Sequence, residues 1–143
     1  MKYICLFFLI LFALTGCVTK SYIITRQSEV LSEDSIIKTA KKYIGSTQFD
    51  CSSFVQKVFI ENGIKLPRTS EEQYRAGINA GTGLLPDDLL FFTTTTLTGK
   101  ISHIGIYIGD NKFIHSGGHG VRIDSLEDKY YRIRYIGARR VKE

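Results

Sequence analysis

Residues 101–109 of this 143-residue chain have the sequence Ile-Ser-His-Ile-Gly-Ile-Tyr-Ile-Gly, and this stretch decides the fold of the second half of the chain. Its side chains alternate in character, as they do in a β-strand with one face in the core. The two faces carry Ser102, Ile104, Ile106 and Ile108 on one side and His103, Gly105 and Tyr107 on the other. We therefore predict a strand over residues 101–108 whose isoleucine face belongs to the core.

A hairpin signal follows this strand, Gly-Asp-Asn at residues 109–111. With a three-residue loop, His115 in the next strand faces Gly105 and lies diagonal to His103 on the same sheet face. A register shifted by one residue would place His115 on the isoleucine face instead. The sequence predicts a second strand over residues 112–116 and, in the first register, two neighbouring histidines.

Helix signals precede strand signals along the chain. Three predicted helices start near polar capping residues and end near Gly or Asn, at about residues 32–45, 51–62 and 69–77. The predicted strands cover residues 89–92, 101–108, 112–116, 121–123 and 132–141. This order indicates an α+β fold in which N-terminal helices pack on a C-terminal antiparallel β-sheet.

Cys51 lies at the start of the second predicted helix, where unpaired N–H groups and the helix dipole stabilise a thiolate. Asp50 falls at the N-cap position, and we assign it a structural role as the cap and as the ion-pair partner of Arg68. A lone cysteine is also commonly an inert, buried small side chain. Cys51 alone therefore leaves both interpretations open.

The two histidines favour the reactive thiol. His103 would take the thiol proton as the base, and His115 would fix the tautomer of His103 by hydrogen bonding. A zinc site is the alternative, with His119 and Cys51 as further ligands, but the sequence has no compact ligand pair. We predict no metal.

The N-terminus differs from the rest of the chain. Residues 3–14 form an apolar run with the length of a signal-peptide core, short for a membrane span. The run ends in Leu-Thr-Gly-Cys at residues 14–17, which resembles the signal of bacterial lipoproteins and implies removal of residues 1–16 and a lipid on Cys17. Residues 17–32 are polar and predict a tether, which leaves residues 33–143 as the domain.

Two further expectations depend on this signal, for which an ordinary secretory signal is the alternative. Val18 occupies the place where an Asp commonly retains Gram-negative lipoproteins at the inner membrane. We therefore expect a lipid-anchored protein of the bacterial cell envelope, at the outer membrane and facing the periplasm. Cys5 leaves with the signal, so Cys51 is the free thiol expected in the mature chain.

The chain is mildly basic, with 19 Lys and Arg against 14 Asp and Glu and a net charge of +5. We interpret the C-terminal basic cluster as a solvated strand face. Its members are Arg132, Arg134, Arg139, Arg140 and Lys142. Aromatic residues are not interleaved with Lys and Arg as in nucleic-acid-binding surfaces, so we exclude nucleic acid as a partner.

Five ordered segments resemble motifs of the NlpC/P60 family of bacterial cell-wall cysteine peptidases. Residues 50–54 (Asp-Cys-Ser-Ser-Phe) resemble the motif around the nucleophile, and residues 66–70 (Leu-Pro-Arg-Thr-Ser) and 85–92 (Leu-Pro-Asp-Asp-Leu-Leu-Phe-Phe) resemble the two that follow. Residues 102–109 resemble the motif of the base, and residues 113–116 (Phe-Ile-His-Ser) that of the third polar residue. The resemblance implies a papain-like fold for nearly the whole domain.

The resemblance also implies an activity, that of a lipid-anchored murein endopeptidase. Such an enzyme hydrolyses amide bonds in peptidoglycan stem peptides or cross-links without a cofactor. Cys51 is then the nucleophile, His103 the general base and acid, and His115 the residue that orients His103. We expect a monomer. A related amidase or acyltransferase with the same triad, and a non-catalytic cell-wall-binding lipoprotein, are the alternatives.

One departure from the family pattern lies just before the nucleophile. Family members commonly have a longer, tyrosine-containing loop there, whereas residues 43–48 (Tyr-Ile-Gly-Ser-Thr-Gln) lead directly into Phe49. Gln48 falls near the place of that tyrosine, and an amide side chain can donate to an oxyanion. We predict that Gln48 and the backbone N–H of Cys51 serve as oxyanion donors; a surface glutamine is the alternative.

Overall fold

The structure of the protein is a computed structural model that describes residues 35–93 and 99–141. The predictions for residues 1–34, which include the signal peptide, the lipid on Cys17 and the tether, lie outside the described residues. Within the described ranges, no helix has both the length and the apolar character needed to cross a membrane.

The second and third helices begin and end within one residue of their predicted bounds, whereas the first ends at Lys41 instead of near residue 45 and its predicted start lies outside the described residues. They are α1 (Ser35–Lys41), α2 (Cys51–Glu61) and α3 (Ser70–Ala76). Thr69 starts α3 with a capping box, in which its hydroxyl accepts from the Glu72 N–H and the Glu72 carboxylate accepts from the Thr69 N–H. Capping acts between residues three apart, which is why the sequence predicts the starts of α2 and α3 well.

The second half of the chain forms a single sheet in which all pairs of neighbouring strands are antiparallel. The strand order across the sheet is β1-β6-β2-β3-β4-β5. The strands are β1 (Ile78–Asn79), β2 (Leu89–Phe92), β3 (His103–Gly109), β4 (Lys112–Gly117), β5 (Gly120–Ser125) and β6 (Tyr135–Arg140). The predicted α+β class is confirmed.

The sheet is covered on both faces. On one face the apolar side of α2 packs against isoleucines of β3 and β4, among them Ile104, Ile106 and Ile114. On the other face Tyr107 and Phe113 belong to a second buried cluster. The isoleucine face belongs to the core, as predicted. The histidine face is buried as well. The alternation of side chains along one strand could not show this, because it does not indicate what covers each face.

The turn between β3 and β4 has two residues rather than the predicted three. Asp110 and Asn111 both have positive φ angles, 50° and 55°, as in a type I′ turn. A bulge in β3 after Tyr107 absorbs the third residue, so that Ile106 still pairs with Ile114. The register beyond the bulge is therefore the predicted one, and both histidines share a face.

The last predicted strand begins too early. Residues Lys129–Arg132 form a short helix, α4, and β6 begins only at Tyr135. Asp128 caps α4 by accepting a hydrogen bond from the Tyr130 N–H at 2.7 Å. This helix brings the side chain of Tyr131 into the buried cluster on the histidine face.

The interpretation of the C-terminal arginines as a solvated strand face is also wrong for β6. Arg140 pairs with the buried carboxylate of Asp88 through bonds of 2.7 and 2.8 Å. The guanidinium of Arg139 lies 3.9 Å from the centre of the Tyr74 ring. Arg140 therefore joins β6 to the turn before β2, and Arg139 joins β6 to α3.

Candidate functional site

Cys51 is the first residue of α2 and is half-buried. Asp50 caps the helix, because its carboxylate accepts the Ser53 N–H at 2.7 Å and also accepts from both terminal nitrogens of Arg68. Burial raises the pKa of Asp50, but the bonds from Arg68 and Ser53 lower it well below its usual range. Asp50 and Arg68 thus lie where a cap and its ion-pair partner are expected.

The short segment before Cys51 is tied to the β4–β5 hairpin. Backbone bonds join the Gly45 N–H to the Val121 oxygen at 2.8 Å and the Val121 N–H to the Ser46 oxygen at 2.9 Å. The Ser116 hydroxyl donates to the carbonyl oxygen of Phe49 at 2.6 Å. Because Ser116 directly follows His115 in the chain, these bonds set the position of the α2 start relative to the histidine strand.

His103 and His115 are joined by a hydrogen bond. His103 Nε2 lies 2.8 Å from His115 Nδ1, and the rings meet edge to face. The two residues are 9% and 1% exposed. Gly105 leaves the room for this pair, because a Cβ there would lie 3.2 Å from the Cβ of His115 and 2.6 Å from the Phe113 ring.

The hydrogen bonds continue to Asp124, a residue that none of the sequence motifs marks. Asp124 Oδ2 lies 2.9 Å from His115 Nε2 and also accepts from Arg122 Nε at 2.9 Å and from the Tyr131 hydroxyl at 2.7 Å. The predicted strand over residues 121–123 ends one residue before Asp124. In the structure His115 pairs with Arg122 across β4 and β5, and residues 122 and 124 share a face of β5. A predicted strand that included residue 124 would therefore have placed Asp124 on the face of Arg122.

Burial controls the protonation of the site. Burial raises the pKa of the Cys51 thiol, and a hydrogen bond from the Ile104 backbone N–H, beside His103, opposes this effect. Burial, with smaller effects of the neighbouring His115 and of the Arg122 charge, lowers the pKa of His103 to about 3. Burial likewise lowers the pKa of His115. These shifts favour the neutral forms of the thiol and of both imidazoles, because burial opposes the stabilisation of a thiolate by the helix start.

A cavity of about 540 Å³ opens beside the two histidines. Besides them it is lined by Gly117, Gly118, Arg122, Asp124, Asp128, Tyr130 and Tyr131. Cys51 is not among the residues that line this cavity, so the cavity contains the histidine side of the site and not the thiol.

The remaining candidates are exposed. Gln48 lies on the loop before Cys51, and its proposed oxyanion role stays a prediction. His119 is exposed on the turn between β4 and β5. In the part of the chain that the structure describes, no group of three or more His, Cys, Asp or Glu side chains is arranged to hold a metal ion.

Known proteins are similar to this chain in sequence and in fold. Residues 39–140 match the NlpC/P60 family. The chain is 44% identical over 102 residues to the murein DD-endopeptidase MepS/murein LD-carboxypeptidase of Escherichia coli K12, with 68% of this chain and 53% of that protein covered. It is 36% identical over 129 residues to a probable endopeptidase NlpC homolog of Haemophilus influenzae, with 81% and 67% covered.

A third relative and two crystal structures extend the comparison. The probable peptidoglycan endopeptidase LytE of Bacillus subtilis is 39% identical over 108 residues, which are 74% of this chain and 31% of that protein. This chain therefore spans from about a third to two thirds of the length of these relatives. An NlpC/P60 family protein from Bacillus cereus has a TM-score of 0.71 at 34% identity, with 76% of this chain and 39% of that chain covered. A lipoprotein-like NLP/P60 protein from Staphylococcus aureus has a TM-score of 0.66 at 34% identity, with 78% and 41% covered.

Proposed function

Because the chain belongs to the NlpC/P60 family, we propose that it is a cysteine peptidase that hydrolyses amide bonds in peptidoglycan stem peptides or cross-links. The observation that carries the proposal is the hydrogen bond between His103 and His115, beside the position where Cys51 meets β3. These are the side-chain types that a thiol nucleophile, its base and an orienting group require. Relatives named endopeptidases support the substrate class.

The proposed reaction proceeds through an acyl-enzyme. Cys51 Sγ attacks the carbonyl carbon while His103 takes the thiol proton. The C–N bond then breaks, and His103 gives that proton to the leaving amine. Water, deprotonated by His103, hydrolyses the thioester and frees the thiol. Since the pKa of the thiol is raised at rest, we propose that proton transfer accompanies the attack.

The developing oxyanion needs hydrogen-bond donors. The first N–H groups of a helix have no partner within it, so the N–H of Cys51 is one candidate donor. The Gln48 side chain, exposed three residues earlier, is the other. If Gln48 donates, Gln48→Ala lowers kcat by about 100-fold. Unchanged kcat would make Gln48 a surface residue.

The N-terminal part of the proposal rests on sequence alone. We propose that residues 1–16 are a signal peptide, that Cys17 carries lipid, and that a monomeric domain faces the periplasm from the outer membrane. Mass analysis of the N-terminal peptide tests the lipid, and fractionation of a Cys17→Ser variant tests the anchor. A Cys17→Ser variant that stays with the outer membrane would contradict it, and sedimentation of the purified domain tests the monomer.

The decisive experiment is mass analysis of muropeptides after incubation of purified sacculi with the protein. We expect new amine and carboxyl ends in the stem peptides, and the masses identify the cleaved bond. Cys51→Ala and His103→Ala should abolish release, whereas a variant of the exposed His119, His119→Ala, should keep it. Release by the Cys51→Ala variant would overturn the proposal, and loss of activity with a chelator would favour zinc.

A further inference from the structure

Three donors converge on one oxygen of Asp124. The Oδ2 atom accepts from Arg122 Nε at 2.9 Å and from the Tyr131 hydroxyl at 2.7 Å, and it lies 2.9 Å from His115 Nε2. The bonds from Tyr131, His115 and Arg122 outweigh burial and lower the pKa of Asp124 to about 2, so this carboxylate is ionised at neutral pH. An ionised carboxylate only accepts hydrogen bonds. The proton between Asp124 and His115 must therefore be on His115 Nε2.

This proton decides the tautomer of the next ring. A neutral His115 with its proton on Nε2 has a lone pair on Nδ1. That Nδ1 lies 2.8 Å from His103 Nε2, so His103 donates from Nε2. A neutral His103 then has its lone pair on Nδ1, the one ring nitrogen that no histidine contact occupies. If His115 donated to His103 instead, a neutral His103 would carry its proton on Nδ1. That nitrogen could then not accept the proton of Cys51.

We propose that Asp124 is a positioning residue of the peptidase: it fixes the tautomers of His115 and His103 so that Nδ1 of His103 is free to accept the Cys51 proton. The catalytic part of this inference rests on the proposed function, whereas the tautomers follow from the hydrogen bonds alone. Two neighbours hold Asp124 for this role. Tyr131 donates to Asp124 and in turn accepts from Arg122 Nη2 at 3.2 Å.

The charge of Asp124 has a second effect. Arg122 lowers the pKa of both histidines, and Asp124 raises both. When His103 accepts the thiol proton, Asp124 therefore stabilises the positive charge through His115. The titratable groups that line the cavity beside the pair are Arg122 and Asp124 from β5 and Asp128, Tyr130 and Tyr131 from the α4 segment. Cys51 of α2 meets β3 at the Ile104 N–H, next to His103 in the chain.

The tautomers can be measured without any substitution. The chain has three histidines, so long-range ¹H–¹⁵N spectra of the full-length protein labelled at histidine contain three ring systems. We expect Nε2–H signals for both His103 and His115, with the exposed His119 as the reference. A His103 that carries its proton on Nδ1 would overturn the inference.

Two substitutions separate the geometry of Asp124 from its charge. In Asp124→Asn the amide oxygen can take the place of Oδ2, so we expect the tautomers to stay, the pKa of His115 to fall and kcat to drop by about 10-fold. In Asp124→Ala we expect mixed tautomers and a kcat loss of about 100-fold. The matched control is Asp110→Asn, which removes a carboxylate from the exposed β3–β4 turn and should change neither quantity.

The outcomes keep the two proposals apart. Wild-type kcat in Asp124→Ala, or a pKa of His115 that does not fall in Asp124→Asn, would overturn the positioning role. If sacculi are not cleaved but the histidines have the expected tautomers, the proposed function is wrong and the assignment of the tautomers to Asp124 is retained. If sacculi are cleaved by a protein whose His103 carries Nδ1–H, the tautomer assignment is wrong and the proposed function is retained.

Discussion

The two sides of the site are held in different ways. On the thiol side, backbone bonds place the start of α2, and the Asp50–Arg68 pair beside Cys51 has side chains that are 54% and 56% exposed. On the histidine side, the buried rings of His103 and His115 and the half-buried carboxylate of Asp124 are joined by a chain of hydrogen bonds. We therefore expect a substitution of Cys51 to remove activity with little loss of stability, whereas a substitution of His115 should reduce both.

The largest expected effect tests this difference directly. His115→Ala removes a buried ring and leaves His103 and Asp124 without a hydrogen-bond partner between them. We expect a loss of about 3 kcal/mol in the free energy of unfolding and about 1,000-fold in kcat. Cys51→Ala should lose the activity but at most about 1 kcal/mol of stability. Urea unfolding and muropeptide release measure both, and equal destabilisation by the two variants would contradict the comparison.

Acid should act on the histidine side first. The pKa of His103 in the folded protein is about 3, and that of His115 is also lowered, so the unfolded chain binds protons that the folded chain does not. Stability is therefore complete above about pH 6.5 and is lost as the pH falls, by up to about 1.4 kcal/mol per pH unit for each histidine. Urea unfolding across this range measures the slope, which His119→Gln should leave unchanged. A flat profile would refute the burial argument.

The connection between the two sides can be weakened at Gly120. This residue has a φ of +91°, and a Cβ there would lie 2.7 Å from the Ser46 carbonyl oxygen. We expect Gly120→Ala to cost about 2 kcal/mol and to lower kcat, because the segment before Cys51 must move away from β5. Gly118→Ala in the same turn is the control, since no atom lies within 4 Å of its Cβ position. Equal unfolding midpoints for the two variants would show that this contact does not hold the site together.

The smallest effect on stability is expected at Arg68. Because its pair with Asp50 is exposed, Arg68→Ala should cost less than about 1 kcal/mol. It should still slow alkylation of Cys51, since the unpaired charge of Asp50 raises the pKa of the thiol further. The control is Arg75→Ala, which breaks another exposed pair, with Glu71. Unchanged alkylation in Arg68→Ala would show that Asp50 does not influence the thiol.

Local rules explain which parts of the fold could be predicted. The Thr69 capping box involves residues three apart, and the face of each β3 side chain follows from a period of two. The hairpin register came out correctly although its turn was wrong, because the bulge in β3 compensates for the shorter turn. The last strand was predicted to begin at residue 132, before its actual start at Tyr135. The cause is local too: Asp128 caps α4, and this capping signal was not used in the prediction.

The sequence by itself determined the types and the local placement of the reactive groups: a thiol at the start of a helix and two histidines on one face of a predicted hairpin. These depend on neighbours a few residues away. Only the tertiary structure decided that Asp124 ends the hydrogen-bond chain and that burial shifts the pKa values of the thiol and the imidazoles toward their neutral forms. Burial and long-range hydrogen bonds depend on how α2, β4, β5 and α4 pack together, and no single stretch of the chain contains that information.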